Sequence, residues 1–104
     1  MDRLAALEEM LREQPGNAFL RYGIALEYAS RGQLSEAITR IESLLIDEPE
    51  YLGAYYTLGQ YYEKAGETEK AINIYRKGIA LAELKGNKKA LGELREVLWM
   101  IEDD

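Results

Sequence analysis

Carboxylates and tyrosines are the residues of this chain whose chemistry has to be considered first. The sequence has 19 Asp and Glu residues and eight Tyr residues, but neither His nor Cys. Without imidazole or thiol it offers no Ser–His or Cys–His nucleophile pair and no zinc site of the usual ligand type. The acidic clusters are Glu8-Glu9, Asp47-Glu48-Glu50 and Glu102-Asp103-Asp104. All three fall near predicted helix ends or on polar faces, where we interpret them as solvated charge. The sequence therefore predicts no enzyme, no metal site and no cofactor.

Composition and charge narrow the class of partner. The chain has 104 residues, of which 47% are hydrophobic and 31% charged, as in a single folded globular domain. Its formal charge of −6 opposes binding to nucleic acid or to an anionic membrane. We see no glycine-rich phosphate loop, no apolar run of transmembrane length and no secretory signal. We therefore expect a cytoplasmic protein with neither a nucleic-acid nor a membrane partner.

The tyrosines are concentrated in a segment with helical periodicity. Six of the eight lie between Tyr51 and Tyr75. One apolar stripe, spaced i, i+3, i+4, i+7, is formed by Tyr55, Leu58, Gly59 and Tyr62. Gly66 interrupts the helix, and a second stripe, spaced i, i+4, i+7, is formed by Ala71, Tyr75 and Gly78. This pattern predicts two helices joined by a glycine turn, with apolar faces that meet.

The same pattern occurs 34 residues earlier in the chain. Subtracting 34 maps Leu58 to Ile24, Gly59 to Ala25, Tyr62 to Tyr28, Gly66 to Gly32, Ala71 to Ala37, Tyr75 to Ile41 and Pro49 to Pro15. The order Leu-Gly-x-x-Tyr followed by Ala-x-x-x-aromatic, at this period, resembles the tetratricopeptide repeat, a helix–turn–helix unit of 34 residues. The resemblance implies an all-α repeat solenoid of about six helices.

The 34-residue period also predicts the organisation of the chain. We expect a single domain, 1–104, made of an N-terminal half-repeat helix (1–14), repeat 1 (15–48), repeat 2 (49–85), and a C-terminal capping helix with an acidic tail (86–104). Asn17 is expected to cap a helix, and Pro49 to begin one. Glu83 stands where a proline would close repeat 2, so its second helix is expected to be longer. The acidic tail is expected to be solvated and frayed.

The resemblance further implies a binding surface. In this family the first helix of each repeat lines a concave groove that binds extended peptides or partner helices. The groove residues implied here are Phe19, Tyr22, Leu26 and Ala29 in repeat 1, and Gly53, Tyr56, Gln60 and Glu63 in repeat 2. Tyr22 and Tyr56 either contact a partner, as interface aromatics do, or pack edgewise on a neighbouring helix. We favour partner contact.

The chemistry of this groove predicts what it binds. Chaperone-binding members of the family grip a C-terminal carboxylate with Lys, Asn and Arg, and the corresponding places here carry no cationic residue. The groove is instead aromatic and mildly acidic, which suits an apolar or basic segment. We therefore expect a non-catalytic adaptor or scaffold that binds a peptide or helix of another protein.

The last helix supports a second hypothesis. Val97, Leu98, Trp99, Met100 and Ile101 are consecutive, so apolar groups surround the helix. Either Trp99 and Met100 fold back over a repeat edge, or Val97, Trp99 and Met100 form a self-association surface. The second reading describes a structural module that oligomerises through its end helices. We expect a monomer or a weak homodimer, and the effect of a Trp99 replacement on solution mass separates the two readings.

Overall fold

The structure, a computed structural model, describes residues 2–102 and is helical throughout. Its elements are α1 (Arg3–Glu13), α2 (Ala18–Ser30), α3 (Leu34–Asp47), α4 (Gly53–Lys64), α5 (Thr68–Lys85) and α6 (Lys88–Glu102). No strand occurs among the described residues, so the prediction of an all-α fold with about six helices is confirmed. Asp103 and Asp104, in the tail that was expected to fray, lie outside the described residues.

The chain falls into two compact units, Met1–Pro49 and Glu50–Asp104, each described here by itself. In the N-terminal unit α2 packs against both α1 and α3. In the C-terminal unit α5 packs against both α4 and α6. Each unit is therefore a helical hairpin with one additional helix.

The two hairpins, α2–α3 and α4–α5, are closed by the same turn. Gly32 and Gly66 have φ values of 79° and 78°, in the left-handed region that favours glycine. In each turn the residue after the glycine donates its N–H to a tyrosine carbonyl, that of Tyr28 at 2.9 Å and that of Tyr62 at 2.8 Å. This bonding satisfies carbonyls that a helix end would leave unpaired, as in a Schellman motif. The predicted glycine turns are confirmed.

Of the two predicted helix starts, the one at Asn17 is confirmed and the one at Pro49 is not. The side chain of Asn17 accepts a 3.0 Å hydrogen bond from the Leu20 N–H, so this predicted cap is confirmed. The prediction that Pro49 begins a helix is wrong, because α4 begins four residues later, at Gly53. Pro49 lies in the turn before that helix. A fixed φ near −65° suits a turn as well as a first helical turn, so proline alone did not decide between them.

The buried residues largely follow the two predicted stripes. In the N-terminal unit they include Ile24, Ala25, Ala37, Ile41 and Leu44, and in the C-terminal unit Tyr55, Leu58, Tyr62, Ala71, Tyr75 and Leu94. Tyr28 departs from the prediction that it faces inward, since it is only half-buried. The guanidinium carbon of Arg40 lies 4.6 Å from the centre of its ring. Tyr28 therefore packs beneath a cation at the edge of the core.

The C-terminal unit closes tightly around Gly78 of α5. A Cβ atom at this position would lie 2.8 Å from the Tyr55 Cβ and 3.1 Å from the Leu94 Cδ1. The absence of a side chain therefore lets α4 and α6 both approach α5. Helix α5 has 18 residues against 14 in α3, which confirms that it runs longer.

Candidate functional site

The site is built on Tyr75, which α5 directs against α4. Its side chain is fully buried, and its ring lies against Gly59. A Cβ atom at Gly59 would stand 2.0 Å from the Tyr75 Cε1, so a residue with a side chain could not occupy this place without moving the ring. The N-terminal unit has Ala25 and Ile41 at the corresponding positions, both fully buried. Compared with the N-terminal unit, the C-terminal unit therefore has a larger residue on its second hairpin helix, Tyr75, and a smaller one on its first, Gly59.

The Tyr75 hydroxyl organises two polar side chains of α4. It donates a 2.6 Å hydrogen bond to the Glu63 Oε2 and accepts a 2.7 Å hydrogen bond from the Gln60 Nε2. Burial raises the pKa of the Tyr75 hydroxyl above its ordinary value, and the bond to the Glu63 carboxylate raises it further. The phenol therefore keeps its proton and continues to donate to Glu63.

Two neighbouring cavities of about 250 Å³ and 300 Å³ lie between α4 and α6, and Tyr56 lines both of them. Together we call them the α4/α6 groove. The first is lined by Leu52, Gly53, Tyr56, Asn87, Lys89, Ala90, Glu93 and Leu94, and the second by Tyr56, Gln60, Glu63, Glu96, Val97, Met100 and Ile101. The N-terminal halves of both helices meet in the first cavity and the C-terminal halves in the second. The two helices therefore run in the same direction along the groove.

Tyr56 marks the junction of the two cavities. Its side chain is 37% exposed, and its ring centre lies 6.4 Å from that of Tyr75, at a tilted angle of 53°. One part of the ring is supported by the buried tyrosine, and the remainder faces solvent in the groove. Supported aromatics of this kind bury large area at low entropy cost when a partner binds.

The two halves of the groove differ in charge. The first cavity carries Lys89 and Glu93, whereas the second carries Glu63 and Glu96 and no cationic residue. No salt bridge to either Glu63 or Glu96 occurs within residues 2–102. The second cavity therefore combines uncompensated negative charge with apolar walls.

Among residues 2–102, no group of acidic side chains is placed to hold a metal ion. Over that range, too, no helix is long and apolar enough to cross a membrane.

Comparison with known proteins identifies the family. The tetratricopeptide repeat family matches residues 52–83, which span α4, the turn and most of α5. A crystal structure of a tetratricopeptide repeat domain protein from Salinibacter ruber is 36% identical, and the alignment covers 84% of this chain and 97% of that one with a TM-score of 0.79. This chain belongs to the tetratricopeptide repeat family.

Two further proteins resemble the chain over most of its length. A TPR repeat-containing protein of Pseudomonas aeruginosa is 29% identical over 91 residues, which are 88% of this chain and 87% of the relative. A solution structure of a protein from Bordetella parapertussis is 25% identical and covers 99% of this chain and 90% of its own, with a TM-score of 0.86. Tetratricopeptide repeats are generally protein–protein interaction modules and non-catalytic scaffolds.

The residues predicted for the groove of repeat 2 come together in the structure. Gly53, Tyr56, Gln60 and Glu63 all line the α4/α6 groove. Two of the three residues considered for self-association, Val97 and Met100, line its second cavity. The third, Trp99, is 65% exposed and is not among the lining residues. Met100 therefore lies beside α4 while Trp99 faces solvent, and the two predicted surfaces partly coincide.

The residues predicted for the groove of repeat 1 share a face of α2. Phe19 and Leu26 are exposed there, at 72% and 39%, while Tyr22 and Ala29 are half-buried. A cavity of about 100 Å³ in the N-terminal unit is lined by other residues, Leu11, Arg21, Arg40 and Ser43. The contribution of the α2 face to binding stays a prediction.

The α6 wall of the groove was not predicted, although the tetratricopeptide period contained the signal. Adding 34 to the four groove positions of α4 gives Asn87, Ala90, Leu94 and Val97, and all four line the groove. Helix α6 thus occupies the place of a first helix in a third repeat. Tyr75 was also missed, because its place in the apolar stripe gave no indication that its hydroxyl positions Gln60 and Glu63.

Proposed function

We propose that this tetratricopeptide protein is a non-catalytic adaptor that binds a peptide or helix of another protein in the α4/α6 groove. The proposal rests on one observation: the four groove residues of α4, from Gly53 to Glu63, form one wall of the groove, and residues of α6 form the opposite wall. The groove thus has two sides and a supported aromatic at its middle. Peptide recognition by helical grooves uses this combination of apolar contacts and a few placed polar groups.

The open, extended form of the groove suits a segment of chain. Its two cavities extend along the C-terminal and N-terminal halves of α4 and are both open to solvent. An extended peptide or one face of a helix can occupy both, with an apolar side chain on either side of Tyr56. The mixture of apolar surface and carboxylates favours apolar or basic segments.

A second function is favoured by the outer face of α6. Trp99 and Met100 are 65% and 56% exposed, and large exposed apolar residues in one place mark interaction surfaces. The protein would then be a structural module that self-associates through its end helix. We rank this function second because Met100 and Val97 also line the groove, where they have a defined role in binding a different protein.

One set of variants tests both functions. Wild type, Tyr56→Ala and Trp99→Ala are used to capture partners from a lysate of the source organism, with mass spectrometry as the readout. We expect Tyr56→Ala to weaken capture of the specific partner by about 2 kcal/mol, as the loss of an interface aromatic does. Trp99→Ala serves as the matched control, since it removes a larger exposed aromatic outside the groove and should retain the partner.

Solution mass, measured by light scattering on the same variants, separates the alternatives. We expect a monomer, with weak dimerisation only at high concentration. A tight dimer that Trp99→Ala dissociates would establish the second function. Full retention of every partner by a folded Tyr56→Ala variant would refute the groove as the recognition surface.

A further inference from the structure

The second cavity of the α4/α6 groove has the chemistry of a site for a basic side chain. Two carboxylates, those of Glu63 and Glu96, share a cavity of about 300 Å³ with apolar walls. The apolar lining is provided by Tyr56, Val97, Met100 and Ile101. A lysine or arginine needs both features, because its aliphatic stem packs on apolar surface while its charged end seeks carboxylates.

The charges near the cavity are not already neutralised. Arg76 pairs with Glu102, and Arg95 pairs with Glu83, so the arginines of α5 and α6 are directed to other carboxylates. Lys64 lies next to Glu63 in sequence but is exposed and does not line the cavity. A cation that enters the cavity would therefore meet carboxylates that form no ion pair within residues 2–102.

The ends of two helices reinforce this charge. Glu63 lies in the last turn of α4, and Met100 and Ile101 lie in the last turn of α6. Because the two helices run in the same direction along the groove, the last turns of both lie beside the second cavity. Each helix C-terminus carries about half an elementary negative charge, which favours a cation within its last turn.

Glu63 is also held in place before any ligand arrives. The buried Tyr75 hydroxyl donates to its Oε2 at 2.6 Å, which fixes the side-chain conformation. A carboxylate has about four acceptor positions, so this bond leaves capacity for a ligand. A carboxylate that is already ordered loses less conformational entropy on binding than a mobile one does.

We propose that the second cavity binds an arginine or lysine side chain of a partner segment, with an adjacent apolar residue of that segment packed on Tyr56. This inference rests on the proposed function and specifies its ligand. The occupant is a different protein rather than a second copy, since the chain's charge of −6 opposes the approach of another acidic chain.

The test begins with a random-peptide display selection against the full chain. We expect the selected peptides to share a basic residue next to an apolar one. The tightest peptide is then synthesised with citrulline in place of arginine, or acetyllysine in place of lysine, and both forms are titrated by calorimetry. Loss of the charge should weaken binding about tenfold, as for a charge-assisted hydrogen bond, and added salt should weaken binding of the charged form more than that of the neutral form.

Variants of the protein locate the effect. Glu96→Gln should weaken binding of the charged peptide at least about fivefold without affecting the fold, because Glu96 is an exposed residue of α6. Glu63→Gln removes the other carboxylate but keeps an oxygen that can accept the hydrogen bond from the Tyr75 hydroxyl. Glu69→Gln removes an exposed charge from α5 outside the groove and should leave binding unchanged.

The outcomes distinguish this inference from the proposed function. The basic-residue site would be overturned if the selected peptides carried no basic residue, or if the charged and neutral forms of a peptide bound wild type equally. Groove recognition would still stand in either case if Tyr56→Ala abolished binding of those peptides. Peptides that bind Tyr56→Ala as tightly as wild type would overturn both, as would a selection that yields no binding peptide.

Discussion

Replacement of Gly59 by alanine tests whether the core and the groove are coupled as the structure indicates. The added Cβ would lie 2.0 Å from the Cε1 and 2.5 Å from the Cζ of Tyr75, whereas ordinary van der Waals contact begins near 3.4 Å. The ring would have to move by more than about 1 Å to relieve this overlap. Tyr75 is fully buried and hydrogen-bonded to Gln60 and Glu63, so such a movement also breaks the polar contacts of the groove.

The expected change in the free energy of unfolding is the sum of two destabilising contributions and one stabilising contribution. Overpacking of a closed core costs about 1–3 kcal/mol. Loss of the two hydroxyl hydrogen bonds costs about 1 kcal/mol each. Alanine is a better helix former than glycine by about 1 kcal/mol, which offsets part of this. We therefore expect Gly59→Ala to lower the free energy of unfolding by about 2–4 kcal/mol.

Urea denaturation followed by circular dichroism measures the change. Gly92→Ala is the matched control, because Gly92 lies exposed in α6 and a Cβ there would meet no atom within 4 Å. This control should be neutral or more stable by up to about 1 kcal/mol. The double variant Gly59→Ala/Tyr75→Ile restores the combination found at Ala25 and Ile41 and should regain much of the lost stability.

Two results would refute this reasoning. In the first, Gly59→Ala is as stable as wild type, which would mean that α4 and Tyr75 do not meet at this position. In the second, the double variant loses as much free energy of unfolding as the single variants Gly59→Ala and Tyr75→Ile lose in sum. Additivity would show that the clash is not the origin of the instability.

Two other predictions concern tyrosines of the core. Tyr62→Ala should lower the free energy of unfolding by about 3–5 kcal/mol, because it opens a cavity. Tyr28→Ala should lower it by only about 1–2 kcal/mol, because Tyr28 is half-buried beneath Arg40. Equal losses in urea denaturation would contradict this difference. Burial raises the pKa of Tyr55 and Tyr75, so the folded state favours the protonated phenols. The resulting stability is fully present below the ordinary tyrosine pKa of about 10 and is lost as the pH rises beyond it. Tyr75→Phe should therefore reduce the decline in melting temperature at alkaline pH, and an unchanged decline would contradict the assignment.

The helices and their turns were largely predictable because the same 34-residue pattern occurs twice in the chain. Apolar residues at helical spacing and a glycine at the same place in each repeat leave few alternatives for the backbone. The failures have local causes. Pro49 is compatible with both a turn and a helix start, and the turn prevailed. Tyr28 lies in the last turn of α2, where its ring reaches Arg40 at the edge of the core. Helical spacing gives the direction of a side chain but not the depth at which it is buried.

The site was predictable on one side only. Family resemblance placed Gly53, Tyr56, Gln60 and Glu63 on a common face, since the spacing of helix α4 fixes that arrangement. The opposite wall was missed because α6 was interpreted as a cap, although the 34-residue period extends through it. The contribution of Tyr75 could not be read from periodicity, because a tyrosine in an apolar stripe is counted for its ring. Its hydroxyl becomes informative only once Gln60 and Glu63 are known to lie within hydrogen-bonding distance.

The pairing of Gly59 with Tyr75 has a consequence for how such repeats are recombined. In the N-terminal repeat the corresponding residues are Ala25 and Ile41, and neither has a hydroxyl that could hold side chains on the proposed binding face. Replacement of Gly59 with a commoner helix-forming residue would therefore alter the proposed binding surface by displacing the Tyr75 ring beneath it. Transfer of the proposed specificity to another repeat array would therefore require four residues to be transferred together: Gly59, Gln60, Glu63 and Tyr75.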